Sequence, residues 1–425
     1  MNMLGSSIKY GVIDYTEGYD YLGEESTLNV GDDIQSIAIE ALYKKIGIAE
    51  EQIIKIPHRE LKEYCKETVV LPLNMFGTKG DIFPISSFII PIFIGFHYLS
   101  GRVSDKKNFF KRFAPIGCRD EYTLNIFREE GLDCYLSGCM TLTLEKRENV
   151  GFRNKIFLVD VEETIKEKIP LEGDIEFVSH EFKMTSANFE RHYKKNTYQF
   201  ARHLLNRYRD EAKLVVTSRL HCAAPCIAMG IPVVLIKENI EPNLSWIDKL
   251  LKVYTYDEID LIDWNSSPAN FDEIKSEMLT NFKNVLLGQD SRVAQRHITE
   301  YFLDRDRSDY AGLIKKRISK IDIFRTFKDK RFNYAICGVG AGGVVAYLAI
   351  KDIFPEAKHI KSYDKYESGS FFGVDVECEI RDREAVDFYF IATYSGAEYW
   401  SRVLMGMGLS EGKDWAFSFY KTPNK

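Results

Sequence analysis

The sequence predicts an α/β protein: two doubly wound, Rossmann-like domains facing each other, followed by a small C-terminal α/β unit. Three observations predict it. Apolar strand-like runs alternate with amphipathic helix-like runs through residues 1 to about 300, as parallel sheets covered by helices on both faces require. The alternation completes one series and restarts near residue 150. A further strand, glycine turn and helix begin at Phe332.

The elements follow in order. Ile8 to Tyr15 reads as a strand. Asp32 to Lys45 carries Ile34, Ile37, Ala38, Ala41 and Leu42 at helical spacing and stops at Gly47. Val69 to Leu73, Ile89 to Tyr98 and Phe113 to Gly117 read as strands, the last running into the helix DEYTLNIFREEG, which closes at Gly131. A strand around Cys134 and Tyr135 completes a first domain, 1–150. A second, 151–304, opens with KIFLVDV (Lys155 to Val161) and IEFVSHEF (Ile175 to Phe182) as strands and a long basic helix from about Asn188 to Asp210. The strand LVVTS, an alanine-rich helix with Pro225 in its first turn and the strand PVVLIK follow. Residues 305–330 read as a charged helical connector, and 331–425 as the C-terminal Rossmann-like unit. Ligands of such sheets lie at the carboxyl ends of the strands, which places the expected cleft between the two domains.

Composition narrows the function classes. With 425 residues, 45% hydrophobic and 28% charged, the chain can build more than one core. A net charge of −6 and a pI near 5.9 argue against nucleic acid as a partner while leaving room for a local basic pocket. The eight cysteines include no CxxC pair and read as free thiols in a reducing compartment. Cys222 and Cys226, four apart, read as buried small side chains, and no metal is expected. The N-terminus lacks a basic stretch followed by a long apolar core. The most membrane-like segment, Ile82 to Leu99, is interrupted by Pro84, Pro91 and His97 and reads as interior. A cytoplasmic protein is expected, with peripheral contact at the inner membrane face as the alternative.

Several constellations sit at strand ends. In LNVGDDIQS, Asn29, Gly31 and Asp32 open a helix; they suit ordinary capping or, equally, polar contacts to a sugar. Arg119 ends an apolar strand in PIGCRDEYT, where its planar fork suits an anion beside free helix N–H groups or a salt bridge between elements. Gly138 in SGCMTLTL marks a close backbone approach, and the neighbouring Cys139 reads as a buried thiol without a base nearby. Ser218, Arg219, Leu220 and His221 turn a strand into the alanine-rich helix. Arg219 with the helix N-terminus suits a small dianion, and His221 can move a proton near neutral pH, though a packed core histidine fits as well. In the C-terminal unit Gly338, Gly340 and Gly343 form GxGxxG after a strand, and Asp364 follows at the next strand end. The turn suits a dinucleotide pyrophosphate, or a retained fold feature used in packing.

NVGDDIQS, PIGCRDEYT, SGCMTLTL and TSRLHCAAPCIAMGIPVV, in this order and spacing over residues 8 to 300, resemble the polysaccharide pyruvyl transferases. The resemblance implies a glycosyltransferase-B-like pair of domains. It also implies transfer of the enolpyruvyl group of phosphoenolpyruvate to a glycan or lipid-linked glycan, leaving a cyclic pyruvate ketal and phosphate, with no cofactor required. It matches Arg119 and the run Arg219, Leu220 and His221 to the family's donor residues; on the chemistry, Asn29, Gly31, Asp32, Gly138, Ser218 and Leu220 are expected around the substrates. Two alternatives stay open: a glycosyltransferase using a nucleotide sugar, and a non-catalytic regulator of polysaccharide assembly.

Overall fold

The computed structural model describes residues 8–15, 27–77, 82–100, 103–148, 153–183, 196–237, 242–304, 331–381, 385–393 and 396–418. The charged stretch 305–330 and the first turns expected of the basic helix, 188–195, lie outside them. The protein is a mixed α/β chain with several parallel sheets. It divides into two compact units: one of residues 1–97, 115–121 and 134–308, the other of 98–114, 122–133 and 309–425.

In chain order the first unit begins with β1 (Lys9–Asp14), β2 (Thr27–Asn29), α1 (Val30–Lys45), β3 (Ile53–Pro57), β4 (Val69–Leu73) and β5 (Ile89–Phe93). The chain then passes through α2 (Lys107–Arg112), β6 (Ile116–Cys118), α3 (Glu121–Glu129) and β7 (Cys134–Leu136). Next come β8 (Lys155–Val159), β9 (Asp174–Val178), β10 (Glu181–Lys183), α4 (Thr197–Glu211), β11 (Ala212–Thr217), α5 (Leu220–Ala228), β12 (Val233–Ile236), β13 (Val253–Tyr254), α6 (Asp272–Leu286) and α7 (Arg292–Leu303). Two parallel sheets organise these strands, in the orders β3-β1-β4-β5 and β13-β12-β11-β8-β9, and β6 pairs with β7. The second order is doubly wound and reverses between β8 and β11, where ligands of open α/β sheets collect.

Three elements differ from the sequence reading. Strand β5 ends at Phe93, because Gly95 turns the backbone to a φ of +67° that an extended strand cannot accommodate. Phe113 caps α2, so the strand that was expected from it starts at Ile116. IEFVSHEF is two strands: β9 continues its sheet, whereas β10 turns away and pairs antiparallel with β2. The break is enforced by Asp160, whose carboxylate accepts the His180 N–H at 2.9 Å and the Ser179 hydroxyl at 2.6 Å.

Helix α1 shows why the local sequence folds as it does. The Asn29 side chain accepts the Gly31 N–H, Asp32 and Asp33 occupy the first turn, and Lys44 and Lys45 the last, matching both ends of the helix dipole. Ile34, Ala38 and Leu42 are buried on one face. Helix α5 begins at Leu220, which puts Pro225 sixth in the helix rather than in its first turn. There it removes the N–H that would bond the His221 carbonyl.

The second unit holds β14 (Asn333–Cys337), α8 (Ala341–Ile353), β15 (Lys358–Tyr363), β16 (Ser370–Phe371), β17 (Val374–Glu377), β18 (Phe388–Ile391), α9 (Ala397–Gly406) and β19 (Trp415–Phe417). They form one sheet of order β16-β17-β15-β14-β18-β19, parallel except for the β16–β17 pair. One face packs Trp400, Trp415, Tyr363 and Leu404 into a core. Lys351 of α8 binds both carboxylate oxygens of Glu129 at 2.7 Å. Among the described residues no helix is long and apolar enough to cross a membrane.

Candidate functional site

The carboxyl ends of the first unit's strands bring together residues far apart in sequence. Arg119 follows β6 and is fully buried. Its Nε donates to the Gly95 carbonyl at 2.8 Å and its Nη2 to Gln35 Oε1 at 2.5 Å, and the guanidinium lies 5.0 Å from the centre of the Phe76 ring. Its Nη1 stands 3.4 Å from His221 Nε2. A guanidinium has only donors, so Nε2 is the acceptor here and a neutral His221 ring carries its proton on Nδ1. Among the described residues no carboxylate pairs with Arg119. A buried cation held only by neutral groups costs desolvation free energy that a bound anion would offset.

His221 is the second residue of α5 and packs against the start of α1. A Cβ on Gly31 would stand 3.1 Å from His221 Cβ, 3.2 Å from its Nδ1 and 2.9 Å from Asn29 Oδ1, so only glycine fits the approach. Asp32 accepts the Gln35 amide at 3.2 Å, linking its carboxylate to Arg119 through one side chain. The structure therefore groups Arg119, His221, Asn29, Gly31 and Asp32.

Residues 89–239 match the family described as polysaccharide pyruvyl transferase. The matched segment covers a little over a third of the chain and contains Arg119, Gly138 and the Ser218–His221 corner. It does not reach Asn29, Gly31, Asp32 or the second unit's sheet. No curated protein matches the chain. A crystal structure of an uncharacterized protein from Klebsiella pneumoniae subsp. pneumoniae NTUH-K2044 is 15% identical, covering 54% of this chain and 83% of that one, with a TM-score of 0.28, too loose a likeness to inform the site.

Within the matched segment the remaining expected residues point elsewhere. Arg219 Nε bonds Asp160 at 2.9 Å and Nη1 bonds Glu181 at 2.6 Å, so its charge is already matched. Burial pulls its pKa down, and Glu181 and Asp160 together more than offset this. The Ser218 hydroxyl donates to the Asp160 carbonyl at 2.5 Å, and Leu220 is buried at the helix start. Gly138 adopts a φ of +63°, and a Cβ there would also meet the Phe302 ring at 2.9 Å, so the close approach is to a core side chain. Cys139 is buried against Asn74 and Thr141 with no base beside it. Among the described residues no cluster of His, Cys, Asp and Glu is arranged to hold a metal ion.

Sequence reasoning missed three members. Gln35 bridges Asp32 to Arg119. Phe76 lies under the Arg119 guanidinium, with the ring of His97 at 4.5 Å and that of His221 at 6.4 Å. His97 Nδ1 makes a short buried contact with the Asp120 carboxylate. The signal for this pair was present: His97 closes an apolar run and Asp120 follows Arg119.

Asp33, next to Asp32, is fully buried. Burial lifts its pKa to about 7, Thr197 opposes the shift, and the Asp32 and Asp14 charges add to it. A raised folded-state pKa means that the native state keeps a proton the unfolded chain releases, so this contribution to stability falls as pH rises from about 4 to about 7. Asp33→Asn is expected to flatten that slope and to stabilise the protein at pH 8 by about 2–4 kcal/mol. Urea titrations of both proteins across this range check it, and parallel slopes would refute it.

In the second unit the glycines make a tight turn between β14 and α8. Gly338 has a φ of +101°, a Cβ on Gly343 would fall 2.2 Å from the Gly338 carbonyl, and nothing stands within 4 Å of a Cβ on Gly340. Asp364 braces the turn. Its Oδ2 accepts the Val339 N–H at 3.0 Å, and its Oδ1 accepts those of Tyr366 and Glu367 at 3.0 and 3.2 Å. Three of about four acceptor sites of the carboxylate are used, which leaves Oδ2 room for one further donor.

Proposed function

We propose that the protein transfers the enolpyruvyl group of phosphoenolpyruvate to a glycan diol, forming a cyclic pyruvate ketal and releasing phosphate. The observation that carries this reading is Arg119: a buried guanidinium whose partners among the described residues are all neutral, beside a histidine, in the segment that matches the pyruvyl transferases. The two doubly wound sheets of the first unit are read as a glycosyltransferase-B-like pair, with donor and acceptor at their carboxyl ends.

Donor chemistry assigns the roles. Phosphoenolpyruvate brings a carboxylate and a phosphate, and Arg119 takes one of them with a planar fork. That contact draws Arg119 Nη1 away from His221 and frees Nε2 to carry a proton. His221 then delivers the proton to the methylene carbon, which becomes the methyl group, while the adjacent carbon becomes electrophilic. One sugar hydroxyl adds there and gives up its proton. The carbon–oxygen bond to phosphate then breaks, and the second hydroxyl closes the ketal. Of the two hydroxyl protons, one balances the methyl group and the other leaves on hydrogen phosphate. His97, paired with Asp120, is the second group able to accept a hydroxyl proton. Asn29 and Asp32 are placed on the acceptor side. Arg219 holds Asp160 and Glu181 in place and meets the donor only if one carboxylate yields. A lipid-linked acceptor would bring the protein to the inner membrane face.

Phosphoenolpyruvate is expected to raise the melting temperature while UDP-sugars do not. Incubation with phosphoenolpyruvate and a panel of free and lipid-linked glycans is expected to release phosphate in step with ketal formation. Stabilisation by UDP-sugars alone would favour the nucleotide-sugar glycosyltransferase instead.

A further inference from the structure

A cavity lined by charged side chains lies at the other ends of the same helices. The last turn of α1, the loop Thr143–Glu148, Arg153 and one face of α4 enclose about 1010 Å³, reaching Met229 just beyond α5. At 1.5 Å per residue, Met229 stands about 12 Å along α5 from His221, and Lys44 about 20 Å along α1 from Gly31. The cavity is therefore separate from the Arg119–His221 site. Its volume is at the upper end for small-ligand pockets and exceeds what a three-carbon phosphate needs.

Its charge runs against that of the chain. Seven basic and three acidic side chains line it, in a protein of net charge −6. Three of the basic groups are matched: Lys146 by Asp272 at 2.9 Å, Arg202 by Glu40 at 3.2 Å and Arg209 by Asp210 at 2.7 Å. Lys44, Lys45, Arg147 and Arg153 pair with no carboxylate among the described residues, and the unpaired Glu145 and Glu148 offset only half of their charge. The two arginines are held by backbone oxygens: Arg147 by the Ala212 carbonyl at 2.6 Å, Arg153 by that of Glu148 at 2.9 Å. Arg153 Nε is buried with no hydrogen-bond partner. Burial and then the charge of Arg153 pull the pKa of Arg147 below its usual value, which marks two guanidinium groups in each other's field.

We propose that this cavity binds a diphosphate group, with Arg147 and Arg153 as two planar forks and Lys44 and Lys45 at its rim. One orthophosphate satisfies one fork, whereas two neighbouring forks fit two joined phosphates. The acidic balance of the chain disfavours an extended nucleic acid. The diphosphate can belong to a soluble nucleotide or to a lipid headgroup.

Titration calorimetry of the full chain with inorganic pyrophosphate at low salt tests this, with saturating phosphoenolpyruvate present to keep Arg119 occupied. Saturable binding is expected, weakened by about tenfold or more in Arg153→Gln and in the double variant Lys44→Gln/Lys45→Gln, and similarly weaker for orthophosphate. The lysines are exposed, so the double variant reports even where Arg153→Gln fails to fold. No binding by the unaltered chain, or undiminished binding by the double variant, overturns the site. Uridine diphosphate and vesicles carrying a diphosphate lipid run as separate arms: binding of either supports the site and names its source, and binding of neither overturns it. Loss of pyruvyl transfer activity would leave these titrations unchanged, so the two readings fail separately.

Discussion

Arg119→Gln is expected to abolish stabilisation by phosphoenolpyruvate and to lower turnover by about 10²–10³-fold, the range for removing one preorganised charge donor. The unliganded protein should hardly suffer. Arg119 is fully buried without a counter-charge among the described residues, so its removal relieves a desolvation cost while forfeiting the bonds to Gly95 and Gln35. These effects oppose each other, and the net change in apo stability is expected within about 1–2 kcal/mol. Melting curves with and without phosphoenolpyruvate, together with phosphate release, separate the two outcomes. A variant that keeps the ligand-induced shift would remove Arg119 from the donor site. Arg219→Gln is a useful contrast, because it should destabilise the apo protein by leaving Asp160 and Glu181 without their cation.

His221→Ala is expected to lower turnover by about 10²–10⁴-fold, the usual contribution of a positioned acid or base, while phosphoenolpyruvate still binds. The substitution leaves Arg119 its bonds to Gly95 and Gln35 and costs it the long contact to Nε2. Binding is read from the ligand-induced melting shift and chemistry from ketal formation. Full turnover by the variant would end the role given to this histidine.

Much of the fold was legible because it rests on local periodicity. Helix α1, strands β4 and β8 and the β14–turn–α8 unit stand close to where apolar spacing puts them. The misread elements depend on distant partners. Nothing between Val178 and Glu181 announces a break; the Asp160 carboxylate imposes it from about twenty residues away. The partnership of Arg219 was equally hidden, since its carboxylates lie 59 and 38 residues distant. A strand-end arginine reads the same whether it faces a ligand or an acid, and only the folded chain separates Arg119 from Arg219. Gln35 and Phe76 gave no signal because an amide or a phenyl ring at such positions is ordinary. The glycines were partly legible: the need for Gly31 comes from His221, 190 residues later in the chain.

Strands β2 and β10 sew the early part of the first unit to its later part. Residues 27–29 run antiparallel to 181–183, and the Val30 N–H donates to the His180 carbonyl at 3.0 Å. One strand leads from Asn29 into Gly31 of the site, and the other begins at Glu181, which holds Arg219. A wide hinge opening between the two sheets would have to break this seam of backbone hydrogen bonds at every cycle. Substrates would then enter through a doorway of fixed width, and selection among glycans would fall to its shape, not to the energy of closing over them. A split of the gene between the two sheets would likewise yield fragments that each lack one side of the seam.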